Sequence, residues 1–248
     1  MSLRPASTVM LLRPSPASGN DFEVFLVQRS RAVGFMPMAW VFPGGKVDAE
    51  DLELDADNAP PGGGFRVAAA REVFEESGLW LGETAPPDDA RLALHEGRTT
   101  FAELIAAYPL DLGQLKPWSH WITPVVEPRR FDTWFFVATV GDAAASHDTR
   151  ETVASGWYRP AQAMELAAAG ELPMAPPTWW TLSELARHGS LASVFAAERP
   201  LFPIEPMVAR VDDGFVLRLP GHPEHPAPAI PEMPIEIRYL QGRWWAER

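Results

Sequence analysis

The stretch that most constrains this chain is Arg71-Glu72-Val73-Phe74-Glu75-Glu76-Ser77-Gly78-Leu79. It reads as the second half of a helix stopped by a glycine. Positions three and four apart share a helix face, so Glu72, Glu75 and Glu76 project together, with Val73 on the flank that packs inward. Carboxylates this close repel one another, and an unaided helix gains nothing from the arrangement. A hard divalent cation removes the repulsion, because Mg²⁺, Mn²⁺ and Ca²⁺ take oxygen ligands. A solvated acidic face is the ordinary alternative for a Glu-rich turn.

Just upstream, Phe42-Pro43-Gly44-Gly45-Lys46-Val47-Asp48 sets two glycines after an apolar run, where backbone has to approach a ligand or metal closely. Together the two segments resemble the halves of the Nudix box, the signature of the Nudix hydrolases. The usual pattern is a Gly, five residues, a Glu, seven residues, then Arg-Glu, an apolar residue, any residue, Glu-Glu, any residue, Gly and an apolar residue. The second half matches at every specified position. The first half departs from it. After five residues following Gly45 stands Asp51 where Glu is usual, and nineteen residues instead of seven separate Asp51 from Arg71.

The resemblance implies an α/β/α sandwich with a mixed sheet, and metal-dependent hydrolysis of the diphosphate bond in a nucleoside diphosphate linked to another moiety. It implies Mg²⁺ or Mn²⁺ held by Glu72, Glu75 and Glu76, with the Gly45 carbonyl as a further ligand and Glu75 or Glu76 doubling as the base. Arg71 would orient a glutamate by a charge-assisted bond. Asp51 is either a metal ligand or an ion-pair partner of Arg71. Many family members take one more acid from outside the box; Glu151 is the first candidate and Glu127 the second, each reading almost as well as a surface acid.

Substrate choice comes from elsewhere in the chain. The run from Val24 to Gly45, with Gln28-Arg29-Ser30, a spacer and Phe42-Pro43-Gly44-Gly45, is similar to the branch that hydrolyses coenzyme A and acyl-CoA to 3′-phospho-AMP and phosphopantetheine products. The interrupted box is similar to that branch's peroxisomal representatives, as are Pro117-Trp118 to Pro124 and Arg130-Phe131-Asp132-Thr133. The spacer Gly34-Phe35-Met36-Pro37-Met38 meets the coenzyme A signature only in part. Arg29, Arg31 and Arg130 are candidates to grip substrate phosphates, and each reads equally well as a surface arginine. ADP-ribose, a dinucleotide or a nucleotide sugar would serve the same chemistry. A non-catalytic Nudix-fold binding module is the remaining alternative, but a binder has no need of three crowded acids. Trp40, Trp118, Trp121 and Trp134 lie near expected strand ends, where core packing is the default for tryptophan. The histidines, among them His120 and His147, show no metal-ligand spacing.

Length and composition set the frame. A chain of 248 residues, 46% hydrophobic and 22% charged, is long enough for one large domain with an appendage. We expect a Nudix domain over 1–199, interrupted by an insertion at 48–64, and an extension over 200–248 that packs on it as a clasp. A substrate lid or a homodimer contact is that extension's alternative role. The absence of cysteine excludes disulfides, thiolate zinc sites and a Cys nucleophile. A net charge of −12 argues against a broad nucleic-acid surface, which leaves a small nucleotide-containing molecule as partner. No apolar run reaches the roughly 18 residues of a membrane span and the start lacks a signal-peptide layout, so no membrane association and a cytoplasmic setting are expected.

Periodicity and punctuation predict strands at 6–12 and 23–29, a surface excursion at 48–64, and the acidic helix from Phe65 to a Gly78 cap. A strand is expected to resume at Leu79-Trp80-Leu81, then helices at 86–96 and 99–108, strands at 118–126, 133–140 and 156–158, and helices at 161–169, 178–188 and 190–198. The tail reads as a hairpin through Asp213-Gly214, a proline-rich extended stretch, and a last hairpin through Gln241-Gly242.

Overall fold

The computed structural model describes residues 2–15, 21–31, 36–54, 61–62, 64–141, 145–148, 152–199 and 201–247. Strands β1 (Arg4–Pro14), β2 (Phe22–Arg29), β3 (Trp40–Val41) and β4 (Gly44–Lys46) come first. Helices α1 (Ala49–Leu54), α2 (Phe65–Ser77), α3 (Ala90–His95) and α4 (Phe101–Ala107) follow. Then come β5 (Lys116–Ile122), β6 (Phe131–Thr139) and β7 (Thr152–Tyr158), helices α5 (Pro160–Ala169), α6 (Pro176–Leu185) and α7 (Leu191–Ala196), and the short β8 (Pro203–Ile204). The tail adds β9 (Met207–Val211), β10 (Gly214–Arg218), β11 (Glu236–Leu240) and β12 (Arg243–Glu247).

The main sheet runs β3-β2-β1-β6-β5-β8, with β4 added to β1 and β7 to β2. It is mixed: β1 and β6 are parallel over Arg4↔Phe131 to Leu12↔Thr139, as are β5 and β8, while the other pairs are antiparallel. The central strands are apolar at consecutive positions because both faces are covered. Val9 and Leu11 of β1, Phe25 and Val27 of β2, and Phe136 and Ala138 of β6 pack under α2 and α4 with Val67, Ala70, Val73 and Leu104. Their alternates Met10, Leu12, Val24, Leu26, Phe135 and Val137 face the opposite layer, with Ala163, Trp180, Leu182, Leu185 and Val194 of α5, α6 and α7. Period-two alternation thus feeds two cores from one sheet, and the α/β/α layering expected from the sequence is the observed one.

One departure from a simple hairpin creates the place where the box sits. β1 and β2 pair only from Leu12↔Val24 to Pro14↔Phe22 and then separate. β2 goes on with β7 and β3, whereas β1 takes β4 over Ala6↔Lys46 to Thr8↔Gly44. The two glycines are therefore anchored on the central strand, next to α2.

Three local expectations differ from what is observed. Leu79-Trp80-Leu81 forms no strand; Leu79 and Leu81 are buried under α2 and α4 as an irregular connection, with Trp80 packed edge-on between Phe74 and Phe101. The excursion at 48–64 opens as helix α1 and not as loop, with the Asp51 carboxylate reaching back to its start: the Asp48 N–H donates to Asp51 Oδ2 at 2.8 Å. Residues 55–60 and 63 of that excursion lie outside the described residues. The polar loop read over 141–155 yields four of its residues to β7, which pairs with β2 from Thr152 onward. Prolines mark the helix starts instead of interrupting them: Pro160 and Pro176 each occupy the first turn, where the missing N–H costs nothing.

The tail's two hairpins join into one antiparallel sheet, β12-β11-β10-β9. Leu217, Leu219, Ile230 and Ile237 belong to the same apolar cluster as α5 and α6. Trp244 packs on Trp179 and donates its Nε1–H to the Met174 carbonyl at 2.9 Å. Among the described residues no helix is long and apolar enough to cross a membrane.

Candidate active site

α2 carries Arg71, Glu72, Glu75 and Glu76, and ends at Gly78, whose positive φ of 74° and N–H to the Phe74 carbonyl close the helix. Its N-terminal end is held to the sheet by Ser7, whose hydroxyl donates to the Phe65 carbonyl at 2.6 Å. Because Ser7 pairs with Gly45 in β4, the same residue fixes the helix and the glycine segment relative to one another.

The contacts between β4 and α2 are very close. The Gly44 N–H donates to Glu76 Oε2 at 2.9 Å. A Cβ built on Gly45 would lie 2.3 Å from Glu72 Oε1, so glycine lets the backbone pass this carboxylate without turning it aside. Glu72 and Glu76, one turn apart, thus both turn toward β4.

Arg71 is the other organiser of the acids. Its Nε and Nη2 donate to Asp51 Oδ1 and Oδ2 at 3.0 and 2.9 Å, a bidentate pair in which Asp51 is 1% exposed. Nη2 also donates to the Lys46 carbonyl at 2.8 Å, and Nη1 to Glu72 Oε1 at 2.9 Å and Glu75 Oε1 at 3.3 Å. Asp48 lies 3.5 Å from Nη2. Burial works to lower the Arg71 pKa, but the Asp51 hydrogen bond and the Glu72, Asp51 and Glu75 charges outweigh it, and the net shift is upward. The guanidinium is therefore a permanent cation that cancels part of the carboxylate repulsion. α1 delivers Asp51: the residue at the box position of the usual Glu reaches Arg71 across the nineteen intervening residues.

The remaining candidates are spread more widely. Arg29 ends β2, where the pairing with β7 shifts register next to Thr152. Arg31 is exposed in the turn beyond it. Arg130 donates to the Thr123 carbonyl at 2.9 Å and forms an ion pair with Glu205 of the tail, so its guanidinium has protein partners on both sides. Glu127 is half-buried in the β5–β6 turn, with its N–H on the Pro124 carbonyl. Glu151 lies outside the described residues. The spacer ends with Met36 and Met38 both at positive φ, 44° and 65°, and the Met38 carbonyl accepts from Gln28 Nε2. Trp40, Trp118 and Trp121 are core residues, as their type favours, while half-buried Trp134 stacks on His120, 4.4 Å between ring centroids, and His120 is hydrogen-bonded to Asp132.

Two residues near the acids carried no signal in the sequence. Arg91 of α3 donates its Nε–H to the Glu75 carbonyl at 2.8 Å, and Asp148, 8% exposed, lies close enough to act on Arg91 electrostatically. Neither belongs to the box, and no spacing rule connects them to α2.

The donor set suits a divalent cation of the hard kind. Glu72, Glu75, Glu76 and the backbone of Gly45 present oxygens only, and the Gly45 cradle brings backbone and carboxylate together. Among the described residues no three His, Cys, Asp or Glu side chains close around a single point. Mg²⁺ is ordinarily held by one or two carboxylates together with substrate phosphates, so an open carboxylate edge fits it better than a closed cage.

A three-layer sandwich in which a glycine pair and an Arg-Glu helix face each other defines the class of Nudix-fold hydrolases. Residues 52–185 match the NUDT19 Nudix domain family, so the chain belongs to the NUDT19 group of the Nudix hydrolases. Among similar proteins, acyl-coenzyme A diphosphatase NUDT19 of Gallus gallus is 30% identical, over 86% of this chain and 76% of that protein. The Homo sapiens protein of the same name is 30% identical over 88% of this chain and 76% of that protein. In three dimensions the crystal structure of a Nudix hydrolase from Alicyclobacillus acidocaldarius covers 79% of this chain and 96% of its own, with a TM-score of 0.71 at 25% identity.

Proposed function

We propose that this protein hydrolyses the diphosphate bond of coenzyme A or acyl-CoA, releasing 3′-phospho-AMP and the corresponding phosphopantetheine. The observation that carries the reading is the Gly45–Glu72 contact beside the Arg71-centred acids, in a chain whose similar proteins are named acyl-coenzyme A diphosphatases. The chemical obstacle is a pair of adjacent phosphates whose negative charge repels the attacking water. Mg²⁺ or Mn²⁺, when bound, supplies charge neutralisation and a more acidic water. Glu72, Glu75 and Glu76 are the side chains that would hold it, with the Gly45 carbonyl.

Within this reading the protein's own residues divide the labour. Arg71, clamped by Asp51, sets the orientation of Glu72 and Glu75, and the Gly44 N–H sets that of Glu76. Glu75 or Glu76 takes the proton from the attacking water. Asp51 acts through Arg71, since both its oxygens are engaged there and on Asp48. Arg29 and Arg31, at the end of β2, are retained as phosphate contacts; Arg130 is retained with the condition that Glu205 releases it. The 200–248 extension is read as a clasp on the 1–199 domain, and the cytoplasmic setting and the homodimer complete the proposal; cell fractionation and light scattering test those two.

The experiment is turnover of a panel of CoA, acetyl-CoA, NADH, ADP-ribose and a dinucleoside polyphosphate with Mg²⁺ and Mn²⁺, wild type against Glu75→Gln. 3′-Phospho-AMP from wild type with CoA, lost in the variant, is the expected result. Turnover of ADP-ribose with none of CoA would move the substrate to that class, and no turnover at all would leave a binding module.

A further inference from the structure

α2 ends in a concentration of negative charge. Glu75 and Glu76 sit in its last turn, where the end carbonyls, which an α-helix leaves without intrahelical donors, and the helix dipole are also negative. Arg91 reaches this end from α3. Its Nε–H donates to the Glu75 carbonyl at 2.8 Å, and its Nη1 donates to the Ser146 carbonyl at 2.9 Å and the Ser146 hydroxyl at 3.2 Å. Ser146 closes the loop by donating its own N–H to the Ser77 carbonyl at 3.0 Å. Gly78 leaves room for this: a Cβ there would stand 3.2 Å from Arg91 Nη1. The segment so docked includes Asp148, which is buried and accepts from the Thr152 N–H at 3.2 Å. Arg91 Nη2 is buried with no acceptor among the described residues, and a buried guanidinium N–H calls for an oxygen from water or phosphate. Burial lowers the Arg91 pKa while Asp148, Glu76 and Glu75 oppose the shift, so these three carboxylates are the charges it feels most.

We propose that Arg91, outside the box, is a positioning residue of the hydrolytic site: it locks the Glu75–Glu76 turn of α2 to the segment 145–148, which carries the buried Asp148. This rests on the proposed diphosphatase reading. A lysine retains the charge but lacks the planar fork that serves the Glu75 and Ser146 carbonyls together. The lock fixes the backbone of the last turn of α2, while Arg71 and the Gly44 N–H orient the Glu75 and Glu76 carboxylates that the turn carries.

The test compares wild type, Arg91→Lys and Arg91→Ala with CoA and Mn²⁺. The expected result is a kcat lower by about 10- to 100-fold in both variants, the range for residues that orient ligands, with KM for CoA within about twofold. Added guanidinium should restore a measurable part of kcat to Arg91→Ala but not to Arg91→Lys. A kcat within about twofold of wild type, or a loss that guanidinium leaves untouched in Arg91→Ala, overturns the proposal. Amide hydrogen exchange supplies an arm independent of turnover: exchange at Ser146 and in the last turn of α2 should accelerate in Arg91→Ala, and unchanged exchange overturns the lock. Wild type is measured first. If it turns over none of the panel, the diphosphatase reading fails by itself, and the exchange arm alone decides whether Arg91 makes the lock.

Discussion

A methyl group on Gly45 would land 2.3 Å from Glu72 Oε1, whereas one on Gly44 would land 2.3 Å from the Ser7 backbone oxygen. The first obstacle is the end of a side chain and can swing away; the second is a strand and cannot. Gly45→Ala should therefore lower kcat about 10- to 100-fold by turning Glu72 aside, with little change in melting temperature. Gly44→Ala should cost about 1–3 kcal/mol of folding stability in urea titrations, through the β1–β4 pairing. Asp51→Ala is expected to lose about 2–4 kcal/mol, because it removes the bidentate partner of the buried Arg71 and leaves it with Glu72, Glu75, the more distant and exposed Asp48 and the Lys46 carbonyl. Urea titration reads that loss, and Asp51→Asn, which keeps one acceptor, should lose less. Arg71 and its glutamates were legible in the chain because their neighbours are one helical turn away. Arg91 and Asp148 were not, since a contact between residues far apart in sequence leaves no periodic trace.

α2 follows from its letters: the apolar Val67, Ala70, Val73 and Phe74 on one side, the acids on the other, and a glycine to finish. α1 was hidden by the proline and glycine cluster that follows it, and its reason for existing is an ion pair with a residue of another helix. Leu79 to Leu81 carries strand-forming residues, yet the space under α2 and α4 takes them as irregular chain. On the other face, His188 follows α6 and lies edge-on to Trp118. Burial, then the Arg199 charge, lowers its pKa below 6.5; the Ser193 backbone hydrogen bond and Glu232 oppose the shift, and Arg187 adds the smallest contribution to it. A depressed folded pKa means that the native state binds fewer protons than the unfolded chain. The stabilisation is thus present above pH 6.5 and declines as pH falls through the folded value. His188→Gln should flatten the loss of stability between pH 7.5 and pH 5.5, read as denaturation midpoints at each pH. Equal slopes in wild type and variant would refute this.

The tail sheet meets the helical layer over the main sheet through a few large side chains. Trp244 touches Trp179 of α6, Phe215 of β10 and Tyr239 of β11, and its indole N–H is tied to the Met174 carbonyl. Trp244→Ala should cost about 2–3 kcal/mol, below the range for a fully buried aromatic because Trp244 is half-buried, and should loosen the tail before the main sheet melts. Calorimetry would show the change as a low-temperature shoulder; a single sharp transition at the wild-type temperature would contradict it. The Arg130–Glu205 ion pair makes a second tie, between the β5–β6 turn and the stretch leading into β9. Local pattern was enough to specify the acidic helix, its glycine stop and the alternation of the central strands, because each depends on residues within a turn or a pleat of one another; the layered α/β class and the oxygen-rich chemistry came through the resemblance of two short segments to the Nudix box. The parting of β1 from β2, the delivery of Asp51 to Arg71, the lock at Arg91 and the seating of the tail depend on which distant segments share a core. Those outcomes come from competition among long-range packings, and no stretch of the chain encodes them alone.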